Sequence, residues 1–278
     1  MDEFETVTKA ALQALERGEM VALATVVQVR GSAPRHAGAR MLVWPDGHII
    51  GTVGGATLEE RVIQHAQEAL QANSSRLEKY LFSTENNPES VGLCGGEVLV
   101  SIETLQPAPT LLIIGAGHVA LALSQIAQSL EMRLVVVDDR AEFLTAERFP
   151  QAAQRIHVPY DRGTERLEPI PVHLTPSTYV VVASWGWDEP ALAQILSASQ
   201  VPAYIGLIAS KTKWRVIRER LLAQGIPAKN LERVRAPAGL DLGAETPGEI
   251  ALSILAEMLA VRENATGLPM GTSRKEAK

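Results

Sequence analysis

Leu111-Leu-Ile-Ile-Gly-Ala-Gly-His-Val-Ala120 decides the fold of the second half of this chain. An apolar run stops at Gly115, a second glycine follows at Gly117, and a helical pattern begins at His118. Gly115 permits a tight strand-to-helix turn, and Gly117 lets the backbone approach a diphosphate at a helix N-terminus. Ala120 takes the third small position, where helix packs closely on sheet. The next apolar run, Arg133-Leu-Val-Val-Val-Asp138, ends in an acid placed to accept hydrogen bonds from a ribose diol. Strand, glycine turn, helix and acid in that order predict a Rossmann unit. The alternative is a doubly wound fold whose crevice holds no dinucleotide. His118 lies inside the turn, where it either faces a ligand phosphate or is a satisfied structural histidine.

Outward from this stretch, strands and helices alternate. Strands are expected at residues 111–114, 134–137, 179–183 and 203–208, and helices at 118–130, 189–199 and 211–224. Such alternation favours a parallel sheet with helices on both faces. A last helix starts at Thr246-Pro-Gly-Glu249, with Pro247 suited to its first turn and Ile250, Ala251, Ile254, Leu255, Met258 and Leu259 as one apolar stripe. Beyond Asn264 the tail is polar and expected to be disordered.

The first half has a different rhythm. A helix is expected over 2–18, a long strand over 20–29, a hairpin pairing 39–44 with 48–53, and strands over 77–82 and 97–105. A helix opens after Gly54-Gly55, where Thr57 and Glu60 have capping-box spacing. Residues 106–110 read as a short stiff linker. The organisation is therefore an α+β domain over 1–106, a Rossmann-like doubly wound α/β domain over 110–263, and a tail over 264–278.

Bulk composition sets the class. The 278 residues are 46% hydrophobic, as in a globular protein, and no apolar run approaches the ~20 residues needed to cross a bilayer. The acidic start, Met1-Asp-Glu-Phe-Glu5, does not read as a signal peptide, so the cytoplasm is the expected compartment. A net charge of −6 gives no global attraction to nucleic acid. The single cysteine, Cys94, excludes an internal disulfide and a cysteine-based zinc cluster.

Several segments carry chemistry. The loop of residues 30–40 holds Arg30, Arg35, Arg40, His36, Ser32 and two glycines, a donor set suited to an anion or equally to a solvated hairpin corner. The Gly54-Gly55 turn leads into a helix N-terminus that favours an anion or is simple capping geometry. Cys94 precedes Gly95-Gly96 and is either an approachable thiol or an inert small hydrophobe. Ser184-Trp-Gly-Trp-Asp188 follows a strand at the end where open α/β sheets bind ligands. Its tryptophans are read as stacking on a ring or covering an interface, and Asp188 as meeting a polar edge or capping a helix. Ser210 and Lys211 are placed for phosphate or carboxylate contact, while Lys213, Arg215, Arg218 and Arg220 read as a solvated helix face. The long glycine- and proline-punctuated segment from Arg235 to Glu249 is a candidate functional loop or a crossover held by turns.

Taken together, these segments resemble the xanthine dehydrogenase accessory family (XdhC/CoxI). The matching features are Gly31-Ser-Ala-Pro-Arg35, Gly51-Thr-Val-Gly-Gly55 with Leu58-Glu59, and Cys94-Gly-Gly96. In the second half they are Gly115-Ala-Gly-His-Val119, Val137-Asp-Asp-Arg140, Glu147-Arg-Phe-Pro150, Tyr204-Ile-Gly-Leu-Ile208 and Pro237-Ala-Gly-Leu-Asp-Leu-Gly243, running into Thr246-Pro247 and Glu249-Ile-Ala251. The resemblance implies a maturation factor that binds the molybdenum cofactor, protects it during sulfuration and passes it to a molybdenum hydroxylase apoenzyme. Arg30, Ser32, Arg35, Arg40, Gly54, Gly55 and Cys94 are the expected pterin-side contacts, with Cys94 as a transient molybdenum ligand or sulfur relay. Gly115, Gly117, His118, Asp138, Asp188, Ser210 and Lys211 are the expected contacts of the second half. A cysteine desulfurase and a second copy of the chain are expected partners. The chain departs from the family pattern at Ser184-Trp185, where Thr-His is expected, and at Ala209-Ser-Lys211, where Gly-Ser-Arg is expected. The runner-up is an NAD(P)-dependent oxidoreductase using Gly115, Gly117 and Asp138, although no Tyr-Lys pair or Asp-His relay stands out as a proton donor. A nucleotide-sensing module is the third reading.

Overall fold

The structure, a computed structural model, describes residues 3–83, 90–92 and 95–273. The chain divides into two compact units, Met1–Pro107 and Ala108–Lys278.

The first unit comprises α1 (Glu3–Glu16), β1 (Val21–Arg30), β2 (Arg40–Val43), β3 (Ile49–Gly51), α2 (Ala56–Ala72), β4 (Arg76–Leu81) and β5 (Glu97–Leu105). Its strands form one antiparallel sheet in the order β3-β2-β1-β5-β4. Alternation along β1 sends Ala22, Ala24 and Val26 to the face where α2 packs Leu58, Val62, Ala66 and Ala69. Val21 and Leu23 go to the other face, where α1 lays down Val7, Ala10, Ala11 and Ala14. A register shift between Val26 and Gln28 leaves Val27 out of the ladder just before the arginine-rich loop. Bulges of this kind turn a strand as it enters a loop. The capping box expected at Thr57 and Glu60 does not form: α2 is N-capped by Gly55 with no side-chain bond, so Thr57 already lies inside the first turn.

The second unit comprises β6 (Thr110–Ile114), α3 (His118–Gln128), β7 (Arg133–Asp138), β8 (Ala152–His157), β9 (Tyr160–Asp161), β10 (Arg166–Leu167), β11 (Thr178–Val182), α4 (Asp188–Ser197), β12 (Tyr204–Leu207), α5 (Lys211–Ala223), α6 (Ala228–Leu231), β13 (Val234–Arg235), α7 (Pro247–Arg262) and α8 (Met270–Ser273). Six strands run parallel in the order β13-β12-β11-β6-β7-β8. The order reverses between β6 and β11, the position where open α/β sheets form their ligand crevice. Both faces are covered. Leu112, Ile114, Val180 and Val182 face Leu192, Ile195, Ile217 and Leu221 of α4 and α5. Leu111, Ile113, Tyr179 and Val181 face Leu123, Ala127, Ile254, Leu255 and Met258 of α3 and α7.

β8 and β13 extend the expected sheet at its two edges. The sequence reading missed them because β8 reads Ala-Ala-Gln-Arg-Ile-His and β13 is two residues long. Edge strands covered on fewer sides need no apolar run. α7 starts as read, with Pro247 in its first turn; the structure adds a reciprocal capping box between Thr246 and Glu249. The stretch read as a disordered tail contains α8, and Gly267 lies against the Leu240 side chain.

Ile254 is fully buried between α7 and the sheet. Ile254→Ala is expected to lower the stability of the second unit by about 2–5 kcal/mol, from lost burial plus the cavity left behind. Urea unfolding followed by circular dichroism checks this.

Candidate functional site

In the first unit, pairing of β1 with β5 sets Arg30 opposite Glu97, so the loop leaving β1 and the loop entering β5 emerge together. Their backbones touch. A Cβ added to Gly96 would stand 2.3 Å from the Ser32 carbonyl oxygen and 2.6 Å from that of Arg30. The Gly54 turn joins the same group, since a Cβ there would lie 2.7 Å from Pro34 Cγ. Three of the sequence motifs thus meet on the 30–34 segment, the 95–96 turn at Arg30 to Ser32 and the Gly54 turn at Pro34. Gly55 caps α2 without any side-chain acceptor for its first-turn amides, leaving the positive end of that helix open. The Gly54 amide donates to Thr52 Oγ1 at 3.2 Å, and the Thr52 hydroxyl donates in turn to Glu59.

The arginines of this loop differ in their engagement. Arg30 is largely exposed and makes a 3.3 Å ion pair with Glu97, which also holds Lys79 at 3.0 Å. Arg35 ion-pairs with Glu3 of α1. The Arg40 guanidinium lies 4.4 Å from the Phe4 ring centroid, and its Nε is buried without a hydrogen-bond partner. Arg35 and Arg40 therefore meet the first turn of α1. Cys94 lies outside the described residues; its neighbour Gly95 is at the convergence, where Gly31 approaches it.

In the second unit, the glycine turn is built as its spacing suggests. A Cβ on Gly115 would stand 2.4 Å from the Ala183 carbonyl oxygen, so only glycine lets β6 and β11 end side by side. Gly117 has open space around its Cβ position and caps α3 with no side-chain bond, His118 is exposed, and Ala120 is buried against the sheet.

Asp138 is a different matter. Expected to face a ribose diol, its side chain is wholly buried and already occupied. It accepts hydrogen bonds from the Ala116 amide, the Arg140 amide at 2.9 Å, Arg140 Nε at 2.9 Å and Arg140 Nη2 at 3.0 Å. Ala116 is held from the other side too, because Arg148 Nη2 donates to its carbonyl at 3.0 Å. Burial alone would push the Asp138 carboxyl up; the Arg140 guanidinium and the two amides outweigh it and hold the group below the usual carboxylate range. A ribose diol would have to displace one of these bonds.

The pair of tryptophans splits. Trp187 is buried and donates from Nε1 to Asp139 Oδ1 at 3.0 Å, whereas Trp185 is 76% exposed under the Arg162 guanidinium, 5.2 Å from its ring centroid. Asp188 does not present a polar edge to solvent. It is 2% exposed, accepts from Ser184 Oγ at 2.7 Å and ion-pairs with Lys213 Nζ. The Ser210 hydroxyl oxygen accepts from the Lys213 amide at 3.1 Å as the cap of α5, and Lys211 is exposed on the first turn of that helix.

Sequence reading missed Arg148, Lys213 and Glu257. Glu257 Oε2 accepts from the Tyr204 hydroxyl at 2.6 Å and from the Gly239 amide at 2.9 Å, and Oε1 from Arg235 Nη1 at 3.2 Å. Burial, then the Glu257 carboxylate, pushes the Tyr204 hydroxyl far up from its ordinary value. One side chain of α7 therefore ties down the loop that follows β13. A signal existed for Lys213, three residues past a serine cap, but it is shared by most solvated helix starts. Among the described residues no cluster of three or more His, Cys, Asp or Glu could hold a metal ion, and no helix is long and apolar enough to cross a membrane.

The profile of the XdhC Rossmann domain matches residues 111–258, and that of the XdhC and CoxI family matches residues 14–81. The chain belongs to the XdhC and CoxI family. Protein YqeB of Escherichia coli (strain K12), itself uncharacterized, is 38% identical over 88% of this chain and 44% of YqeB, so the chain spans less than half of that relative. A protein of Bacillus subtilis (strain 168) named as a probable xanthine dehydrogenase subunit is 27% identical over 95% of this chain and 98% of its own. The molybdenum cofactor insertion chaperone PaoD of Escherichia coli (strain K12) is 26% identical over 94% and 89%. A solved structure described as a xanthine dehydrogenase from Bacillus halodurans covers 98% of the chain and 99% of its own, at 21% identity and a TM-score of 0.46.

Within this XdhC-family chain, the depressed Asp138 fixes a pH dependence. A carboxyl held below its unfolded value, about 3.9, contributes stability that is present above that pH and lost as pH falls through the folded value. Asp138→Asn is therefore expected to destabilise the second unit at pH 7 by about 1–3 kcal/mol. The deficit should shrink below about pH 4. Denaturant titrations of both proteins at pH 7 and pH 3.5 read the difference.

Proposed function

We propose that this chain is a maturation factor that binds the molybdenum cofactor, protects it during sulfuration and delivers it to a xanthine dehydrogenase-type molybdenum hydroxylase. The carrying observation is the convergence in the first unit: the 30–32 and 95–96 backbones in contact, Pro34 against Gly54, and the start of α2, which has no side-chain cap, directly after that glycine turn. The relatives named for xanthine dehydrogenase and for cofactor insertion support the same reading.

The donor set fits a phosphorylated pterin. Backbone amides at the α2 N-terminus and the Arg30 guanidinium suit a phosphate, whose charge a helix start and an arginine fork both stabilise. Ser32 and the Gly54-Gly55 amides add neutral donors. Arg35 and Arg40 reach the ligand only by leaving Glu3 and Phe4. Cys94, one residue before this convergence in sequence, is the candidate transient ligand or sulfur relay for the molybdenum centre. Binding and handover require no proton relay. In this reading the factor works in the cytoplasm as a homodimer, meeting the apoenzyme and a cysteine desulfurase. The NAD(P)-dependent alternative loses ground at Asp138, whose oxygens are engaged by Ala116 and Arg140.

The test is anaerobic titration of the protein with molybdenum cofactor, followed by transfer to an apo hydroxylase, with NAD(P)H titrated in parallel. Micromolar or tighter binding with reconstitution of the hydroxylase is expected. Arg30→Ala should weaken cofactor binding about tenfold, taking ~1.5 kcal/mol for a charge-assisted hydrogen bond. Cys94→Ala should bind the cofactor but deliver it without its sulfido ligand. Tight dinucleotide binding with no affinity for the cofactor would overturn the reading.

A further inference from the structure

Ser184, Asp188 and Lys213 form a connected polar cluster at the C-terminal end of the parallel sheet. Asp188, in the first turn of α4, is 2% exposed and holds the Ser184 hydroxyl on one oxygen and the Lys213 ammonium on the other. A buried carboxylate requires such partners. Two observations exceed that requirement. The Lys213 side chain is 46% exposed, and its ammonium, with three donors, is bonded to Asp188. The cluster also borders the glycine turn, since a Cβ on Gly115 would lie 2.7 Å from the Ser184 amide nitrogen.

The neighbouring cations are differently engaged. Arg140 gives both Nε and Nη2 to Asp138, and Arg148 gives its donors to the Phe143 and Ala116 carbonyls. Lys213 gives one donor to Asp188, and Ser184 links that pair to the turn whose second glycine leaves open space. The long, flexible Lys213 stem is already held by Asp188, so little rotamer freedom remains to be lost on binding.

We propose that Lys213 is the phosphoryl-binding cation of this crevice, with Asp188 and Ser184 as its positioning residues, and that the site takes the phosphate monoester of a small ligand. A mononucleotide carries that chemistry; the pterin phosphate is assigned to Arg30 and the start of α2 in the first unit, so the subsite does not rest on the maturation-factor reading. Lys211 and Ser210 are the residues expected from sequence to make this contact; the Ser210 hydroxyl oxygen accepts from the Lys213 amide as the α5 cap, and its O–H stays free to donate.

The experiment titrates the full chain by calorimetry with molybdenum cofactor (anaerobically), 5′-AMP and inorganic pyrophosphate. The double variant Asp188→Asn/Lys213→Met removes both charges together, leaving no lone buried carboxylate. It should weaken 5′-AMP and pyrophosphate binding by tenfold or more and leave cofactor affinity within threefold of the parent, while Lys213→Arg stays within threefold for all three ligands. On the unaltered protein, bound ligand should protect Lys213, and not Lys211, from acetylation by acetic anhydride, as mapped by mass spectrometry. Equal affinity for 5′-AMP and pyrophosphate in parent and double variant, absence of binding by both, or no protection of Lys213 overturns the subsite. Cofactor bound by the parent, with neither 5′-AMP nor pyrophosphate bound, sinks the subsite and leaves the maturation reading standing. AMP or pyrophosphate bound and then lost in the variant, with no cofactor affinity, keeps the subsite and sinks that reading.

Discussion

A single buried carboxylate organises the crevice of the second unit. Asp138 ends β7 and reaches across to the amide of Ala116, in the middle of the glycine turn that ends β6. Its charge is compensated by Arg140 two residues on, and Arg148 closes the arrangement from the Ala116 carbonyl. A charge removed from water is tolerated only when hydrogen-bonded and paired, so the turn and the end of β7 are fixed together. From that fixed turn follow the direction of α3, the open space at Gly117 and the contact of Gly115 with Ala183.

The first unit solves a different problem with backbone instead of charge. Two loops distant in sequence are brought together because β1 and β5 pair to their ends, Arg30 opposite Glu97. The approach is so close at Gly96 that no side chain could stand there. The bulge in β1 turns the strand as it enters this contact. An anion site assembled this way needs few side chains, because the amide dipoles at the start of α2 supply part of the field. The arginines then divide into one exposed at the convergence and two held by the first turn of α1.

Glu257 plays the corresponding part for the long loop after β13. One carboxylate receives a tyrosine hydroxyl, a backbone amide and a guanidinium from three separate segments. The glycine- and proline-rich composition of that loop describes its freedom to turn. Its anchorage comes from α7, which is why the sequence left open whether the loop was functional or merely a crossover.

Much of the architecture was legible in the chain itself. Apolar runs buried on two faces, the Gly115–Gly117 turn, Ala120 and the Thr246-Pro247-Glu249 start of α7 are local patterns whose periodicity and turn chemistry dictate their form. The edge strands β8 and β13 were not legible, because an edge needs no apolar run, and the box at Thr57 failed because Gly55 took the cap. The site residues were legible as types and not as roles. Asp138 reads as a ribose acceptor and is spent on Ala116 and Arg140. Ser210 reads as an anion donor and caps a helix, while Lys213 reads as a solvated charge and meets a buried acid. Sequence determines which groups exist and how each segment folds locally; only the tertiary structure decides which groups are already satisfied, because a hydrogen-bonding partner from a distant segment is invisible until the sheet brings it within three ångströms.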